Sequence, residues 1–166
     1  MHWIRAAAIG GATLALILGT TPPGFAQSKL QSAMPQAQKT KIHRVVVQVT
    51  QNDPAVMNMA LNNVENLVNY FHDKGEKIEV EIVAYGAGLN MMRSDTSPVK
   101  DRLAALSGNK SITFSGCGNT LAKQSASEDK QISLVPEAHI VSAGIARVVE
   151  LQEEGWTYVR PCSASP

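Results

Sequence analysis

The sequence has few cysteines, few aromatic residues and little charge. Its 166 residues include 2 cysteines, 5% aromatic and 17% charged residues, and the formal net charge is +1. Two cysteines, Cys117 and Cys162, are too few for the disulfide framework on which many small secreted domains depend. A near-zero net charge provides no basic stripe to neutralise phosphates, so we do not expect the chain to bind nucleic acid.

The sequence also lacks an apolar run long enough to cross a bilayer, which needs roughly 20 residues. His2 and Arg5 precede a shorter uncharged, mostly apolar run over 6–19, and Gly24 and Ala26 place small residues where signal peptidase acts. A membrane anchor is the alternative. This pattern predicts a cleaved signal peptide over residues 1–26 and an exported, periplasmic protein that has no membrane contact after cleavage.

The remaining chain predicts one domain that is large enough for a hydrophobic core. Residues 27–41 are rich in Gln, Ser, Lys and Ala and show no apolar period, which is typical of a flexible linker. We place the domain over 42–161 and a short tail over 162–166.

Strand-like and helix-like segments alternate through this domain. Strands are expected at 45–49, 78–84, 111–117, 138–141 and 156–159, and helices are expected after each of the first four. Asp53 and Pro54 form a typical helix start, and Gly75 a typical helix end. Alternation at this spacing predicts an α/β fold with a parallel sheet and helices on both faces.

Cys117 stands between two glycines where the third strand gives way to a helix. Asn119 is the expected N-cap of that helix, so the sulfur would lie near backbone N–H groups and the positive end of a helix dipole. Both features favour a thiolate, and Gly116 and Gly118 are expected to leave it open to an incoming group. The alternative is a small buried apolar residue, which is what most free cysteines are.

The carboxyl ends of parallel strands meet at one edge of a sheet, where ligands bind in such folds. Asn52, a flexible loop over 85–88 and Ser142 each follow one of the predicted strands. We therefore expect a site around a catalytic Cys117 whose substrate-binding residues are Asn52, Tyr85, Gly86, Gly88, Gly118, Asn119 and Ser142. The glycines of the loop do not form a nucleotide fingerprint, and no cofactor is expected.

The other chemically active residues give weaker signals. His43, His72 and His139 have no metal-ligand spacing, so no metal site is predicted and each is interpreted as structural. His139 could approach Cys117 only if the third and fourth strands are neighbours. Cys162 could form a disulfide with Cys117 or remain a free thiol, and the sequence leaves both open.

Several segments together resemble the DsrE/DsrF-like family of sulfur-relay proteins. They are residues 52–54, 60–63, 83–89, 114–120, Gly144 and 151–161. The resemblance implies a three-layer α/β sandwich of the flavodoxin or Rossmann type, assembled as a homotrimer or homohexamer. It also implies that Cys117 can carry sulfur as a persulfide, as in a sulfurtransferase-like carrier. The well-understood relay members are cytoplasmic, whereas this chain begins with an export-type segment.

Two functions from different classes follow. In the first, an exported DsrE-like protein uses the Cys117 thiolate to take sulfane sulfur from a donor protein or small sulfur compound and pass it to an acceptor thiol. In the second, the domain is a non-catalytic module for binding a small ligand or for oligomeric assembly. An asparagine-bearing helix face would then matter more than the thiol. It carries Asn58, Asn62, Asn63, Asn66 and Asn69.

Overall fold

The computed structural model describes residues 41–161. The predicted signal peptide over 1–26, all of the predicted linker except its last residue, and the tail with Cys162 lie outside the described residues. The predictions made for those segments stay predictions.

A five-stranded parallel sheet forms the centre of the domain, in the order β4-β3-β2-β1-β5. Its strands are β1 (Ile42–Val49), β2 (Lys77–Ala84), β3 (Ile112–Cys117), β4 (Ala138–Val141) and β5 (Thr157–Val159). The predicted α/β fold is confirmed. The third and fourth strands are neighbours, and the last strand pairs with the first.

Helices cover both faces of the sheet. They are α1 (Pro54–Asp73), the 3-10 helix η1 (Gly86–Met92), α2 (Lys100–Leu106), α3 (Gly118–Ser127) and α4 (Gly144–Glu153). Val45, Val47 and Val49 pack in one core with residues of α1 and α2, whereas Val46 packs in a second core with residues of α4. Successive side chains of β1 therefore enter opposite layers, which explains why its sequence is a continuous apolar run.

The first helix follows its sequence signals closely. Asp53 Oδ1 accepts a hydrogen bond of 2.8 Å from the Ala55 N–H, and Pro54 is the first helical residue. The C-cap is Lys74, one residue before the predicted Gly75, and Gly75 follows it at a φ of +69°. Asn62, Asn66 and Asn69 are exposed, as a solvated helix face requires.

The segment after β2 differs from the flexible loop that its glycines predicted. The Gly88 N–H donates to the carbonyl oxygens of Thr50 and Tyr85, both at 3.1 Å, and Met91 and Met92 are fully buried. These contacts hold the segment as η1 against the end of β1. The next helix, α2, starts at Lys100, and just before it the Ser97 hydroxyl accepts a hydrogen bond from the Val99 N–H.

A charged cluster joins the chain after η1 to the end of α3. The Arg93 guanidinium, with a side chain 7% exposed, donates to both carboxylate oxygens of Asp95 and of Glu128. Lys130 contacts the same two carboxylates. Hydrogen bonds from Arg93, and then from Lys130, lower the pKa of Glu128 from its ordinary value of 4.5 to about 2.

This cluster predicts acid sensitivity. The depressed pKa of Glu128 contributes stability that is complete above its unfolded value of 4.5 and is lost as pH falls toward about 2. We expect the free energy of unfolding, measured with urea, to fall through this window and to fall less in Glu128→Gln. Glu79→Gln, which removes an exposed carboxylate paired with Arg44, is the control. An unchanged acid dependence in Glu128→Gln would contradict the prediction.

Candidate functional site

Cys117 is the last residue of β3 and also the N-cap of α3. Its sulfur accepts a hydrogen bond of 3.4 Å from the Thr120 N–H, three residues along the chain. The sulfur therefore takes the part that a serine or aspartate oxygen usually takes at a helix start. Asn119, the predicted N-cap, lies inside the first turn instead.

Neutral hydrogen-bond donors surround the sulfur. Burial disfavours the charged thiolate and alone would raise the pKa of Cys117. The Thr120 hydroxyl and the backbone N–H groups of Gly144, Thr120 and Asn119 outweigh that effect, so the net pKa is lowered from its ordinary value of 9.0. These donors come from the first turn of α3 and the start of α4. The site thus favours a thiolate through hydrogen bonds rather than through a positive side chain.

The two glycines beside Cys117 do not leave its sulfur open, contrary to the sequence prediction. A Cβ at Gly116 would lie 2.5 Å from the Leu134 side chain, and a Cβ at Gly118 would lie 3.2 Å from Ile140. The missing side chains make room for these neighbours, not for a ligand. Cys117 is 5% exposed.

Tyr85 lies beside Cys117 at the start of α4. A Cβ at Gly144 would lie 2.9 Å from the Tyr85 ring and 3.1 Å from the Cys117 Cβ, so these three residues converge. The Tyr85 hydroxyl accepts a hydrogen bond from the Gln48 amide, whose oxygen accepts one from the Tyr158 hydroxyl. This chain of bonds from β5 holds the ring in place over the start of α4.

The remaining predicted site residues fall into two groups. Gly118 and Asn119 form the first turn of α3, and the Asn119 N–H donates to the Ser142 carbonyl at 3.2 Å, so these three lie around Cys117. Asn52 accepts a hydrogen bond from the Asn90 side chain. Like Gly88, it joins η1 to the end of β1, and the hydrogen bonds of both residues go there rather than to the sulfur.

Gly86 is connected to the Cys117 sulfur through Thr120, a residue that the sequence did not point to. Its N–H donates to the Thr120 hydroxyl oxygen at 3.1 Å. Thr120 and Gly144 are therefore site residues that were missed. Thr120 could have been found from its position three residues after Cys117, had a cysteine been considered as a cap. Gly144 required the position of α4, which local sequence does not provide.

A groove of about 490 Å³ lies between β3, β4 and α4, and Ser142 and Ala143 are among its lining residues. In its wall the Arg147 guanidinium donates two hydrogen bonds, of 2.9 and 2.7 Å, to the Glu81 carboxylate, which also accepts one of 2.7 Å from Ser115. His139 lines the groove opposite Ser115 in the strand register, while Val141 is opposite Cys117. The neighbouring strands thus do not set His139 beside the sulfur as a base.

Residues 41–161 contain no group of three or more His, Cys, Asp or Glu side chains placed to hold a metal ion. Within the same range, no helix combines the length and apolar character needed to span a membrane. Cys117 forms no disulfide with any described residue.

Comparison with known proteins finds a likeness among solved structures. No protein-family model matches the chain, and no curated protein matches it. The solved structure of MTH1491, a protein of unknown function from Methanobacterium thermoautotrophicum, is similar, with 32% sequence identity and a TM-score of 0.62. The match covers 72% of this chain and 99% of that chain. It supports the α/β architecture.

Proposed function

The chain belongs to the same family as MTH1491, and we propose that this member is an exported, DsrE-like sulfur-binding or sulfur-relay protein that carries a persulfide on Cys117. One observation supports the proposal above the others. A buried thiol accepts a hydrogen bond of 3.4 Å from the Thr120 N–H. Burial opposes a low pKa, yet the Thr120 hydroxyl and the N–H groups of Gly144, Thr120 and Asn119 together lower the pKa of this thiol. Such a thiol is suited to attack sulfur and to leave again as a thiolate.

The chemistry has two balanced steps. The Cys117 thiolate attacks the outer sulfur of a donor persulfide R–S–SH; a new S–S bond forms, the old one breaks, and R–S⁻ leaves with its electron pair. An acceptor thiolate then attacks the outer sulfur on Cys117, and the Cys117 sulfur leaves as a thiolate. The N–H groups of Asn119, Thr120 and Gly144 stabilise the anion that leaves in the second step.

The donor or acceptor must reach a sulfur that is 5% exposed. Ser142 and Ala143 line the groove beside α4, and the N–H of the next residue, Gly144, is one of the groups that lower the pKa of Cys117. We place the small sulfur compound or partner thiol in this groove. The Tyr85 ring packs against Gly144, and its movement would open a path from the groove to the Cys117 sulfur.

The assembly and location of the protein belong to the same proposal. Ile140, Ile145 and Val149 are large apolar side chains exposed on β4 and α4, with Ile140 62% exposed. Such a surface supports assembly of a homotrimer or homohexamer. The apolar N-terminal segment supports periplasmic export.

Loading with sulfane sulfur tests the function. After incubation with a small persulfide donor and gel filtration, we expect intact mass to show one added sulfur atom per wild-type chain. Cys117→Ser is expected to lose the addition completely, while Cys162→Ser, the matched control, keeps it. Equal loading of Cys117→Ser, or no loading of wild type, would overturn the proposal. A nonreduced mass lighter by two hydrogens would instead indicate a Cys117–Cys162 disulfide.

The burial of Cys117 favours a second candidate, a non-catalytic small-ligand-binding or assembly module. In that case the sulfur serves only to cap α3, and the groove or the exposed apolar surface carries the function. Slow alkylation of Cys117 across the neutral pH range, with no sulfur loading, would favour this candidate.

A further inference from the structure

Two side chains of α3 hold the backbone of Gly86, one through its N–H and the other through its carbonyl. The Thr120 hydroxyl oxygen accepts the Gly86 N–H at 3.1 Å, and the Gln124 amide donates to the Gly86 carbonyl at 3.2 Å. Thr120 and Gln124 are four residues apart, so they share one face of the helix. The start of η1 is thereby attached to α3 directly beside Cys117.

The orientation of the Gln124 amide is set by its other neighbour. Arg93 Nη1 donates to Gln124 Oε1 at 3.5 Å. A guanidinium has only donors, so the amide oxygen must face Arg93 and the amide NH₂ must face the Gly86 carbonyl. Arg93 is itself held by Asp95 and Glu128. Gln124 therefore has one orientation that satisfies both neighbours.

The Gly86 backbone depends on a conformation that favours glycine. Its φ is +57°, in the left-handed region, and no atom outside its immediate chain neighbours lies within 4 Å of the Cβ that a side chain would add. This conformation directs the Gly86 N–H to Thr120. The hydroxyl, with an acceptor position occupied by Gly86, has a single proton to donate. The same residue donates its backbone N–H to the Cys117 sulfur at 3.4 Å, which places the hydroxyl beside that sulfur, and this hydroxyl lowers the pKa of Cys117.

We propose that Gln124 is a positioning residue for Cys117: by fixing the Gly86 peptide, it orients the Thr120 hydroxyl so that its proton is donated to the sulfur. Gln124 touches neither the sulfur nor a substrate in this arrangement; it acts through Gly86 and Thr120. The consequence for sulfur transfer rests on the proposed function. The effect on the thiol itself does not.

Ionisable groups on the surrounding elements offer no competing explanation. They are Tyr85 before η1, Lys123 on α3, His139 on β4 and Arg147 on α4. The groups that lower the pKa of Cys117 are the Thr120 hydroxyl and the N–H groups of Gly144, Thr120 and Asn119, all neutral. The orientation of one hydroxyl therefore matters to this thiol.

The test is the rate of Cys117 alkylation by iodoacetamide as a function of pH, in a Cys162→Ser background. Thr120→Val should raise the titration midpoint and lower the thiolate fraction below that midpoint about tenfold, because a hydrogen bond to a charged group is lost. Thr120→Ser should restore it. Gln124→Ala should shift the midpoint in the same direction, with about a threefold loss. Ser127→Ala, whose hydroxyl bonds only to the Gln124 backbone carbonyl, should change nothing.

The double variant Thr120→Val/Gln124→Ala separates positioning from a general loosening of the helix. If Gln124 acts through Thr120, the double variant should match Thr120→Val alone. Additive shifts, or a wild-type midpoint in Gln124→Ala, would overturn the proposal. The titration needs no sulfur donor, so a shifted midpoint in the variants beside a wild-type protein that takes up no sulfur would refute the relay and retain the positioning.

Discussion

Gly88→Ala is expected to lower the free energy of unfolding by about 3 kcal/mol or more, because it forces backbone atoms apart. A Cβ at Gly88 would lie 2.4 Å from the Val49 carbonyl oxygen, 2.6 Å from the Val49 carbonyl carbon and 2.7 Å from the Thr50 Cα. These are backbone atoms of the last residue of β1 and of the residue after it, and they cannot rotate aside as a side-chain tip would. The measurement is urea unfolding followed by circular dichroism.

Gly108→Ala is the matched control, because no atom outside its chain neighbours lies within 4 Å of the added Cβ. Its unfolding free energy should stay within about 0.5 kcal/mol of the wild type. If Gly88→Ala is as stable as Gly108→Ala, η1 does not need its close approach to β1. That result would favour the role that the sequence predicted for Gly88, which is contact with a substrate.

Arg147→Met is the second substitution with a large expected effect. The Glu81 side chain is 5% exposed, and Arg147 supplies two of its three hydrogen bonds. Without Arg147, the carboxylate stays buried with Ser115 as its one remaining donor. Removing one partner of a buried pair in this way typically costs about 3–5 kcal/mol of stability. Because the Arg147 side chain is 31% exposed, we expect a loss of stability near the lower figure.

The double variant Glu81→Gln/Arg147→Met identifies the cause. A neutral amide still accepts the Ser115 hydroxyl and leaves no uncompensated charge, so more than half of the lost stability should return. Arg44→Met, which breaks an exposed pair with Glu79, should change stability by less than about 1 kcal/mol. A double variant as unstable as Arg147→Met alone would show that packing of the arginine stem, not the buried charge, is responsible.

The strands and helix starts could be predicted because short segments of the sequence determine them. The apolar run over 45–49 predicted a strand, and Asp53 with Pro54 predicted where α1 begins; both predictions hold in the structure. The strand order could not be read in this way. It depends on the pairing of β1 with β5, whose residues are far apart in sequence.

The candidate site was predictable at its centre and not in its surroundings. Strand and helix signals placed Cys117 at the end of β3, where it lies. Glycine alone does not distinguish an open site from a close-packed one, and only the positions of Leu134 and Ile140 show that Gly116 and Gly118 are close-packed. The part played by the Gly144 N–H could not be predicted either, because tertiary structure, not local sequence, brings α4 to Cys117.

The path of α4 links the chemistry of Cys117 to the order in which the chain is made. This helix crosses from β4 at one edge of the sheet to β5 at the other, and the N–H of its first residue, Gly144, is one of the groups that lower the pKa of Cys117. Ribosomes release Cys117 before Gly144 and β5, so a nascent or translocating chain has a cysteine that still lacks this donor. The donors from the first turn of α3 are local, whereas the Gly144 contribution begins only once α4 has docked, in whichever compartment the chain completes its folding.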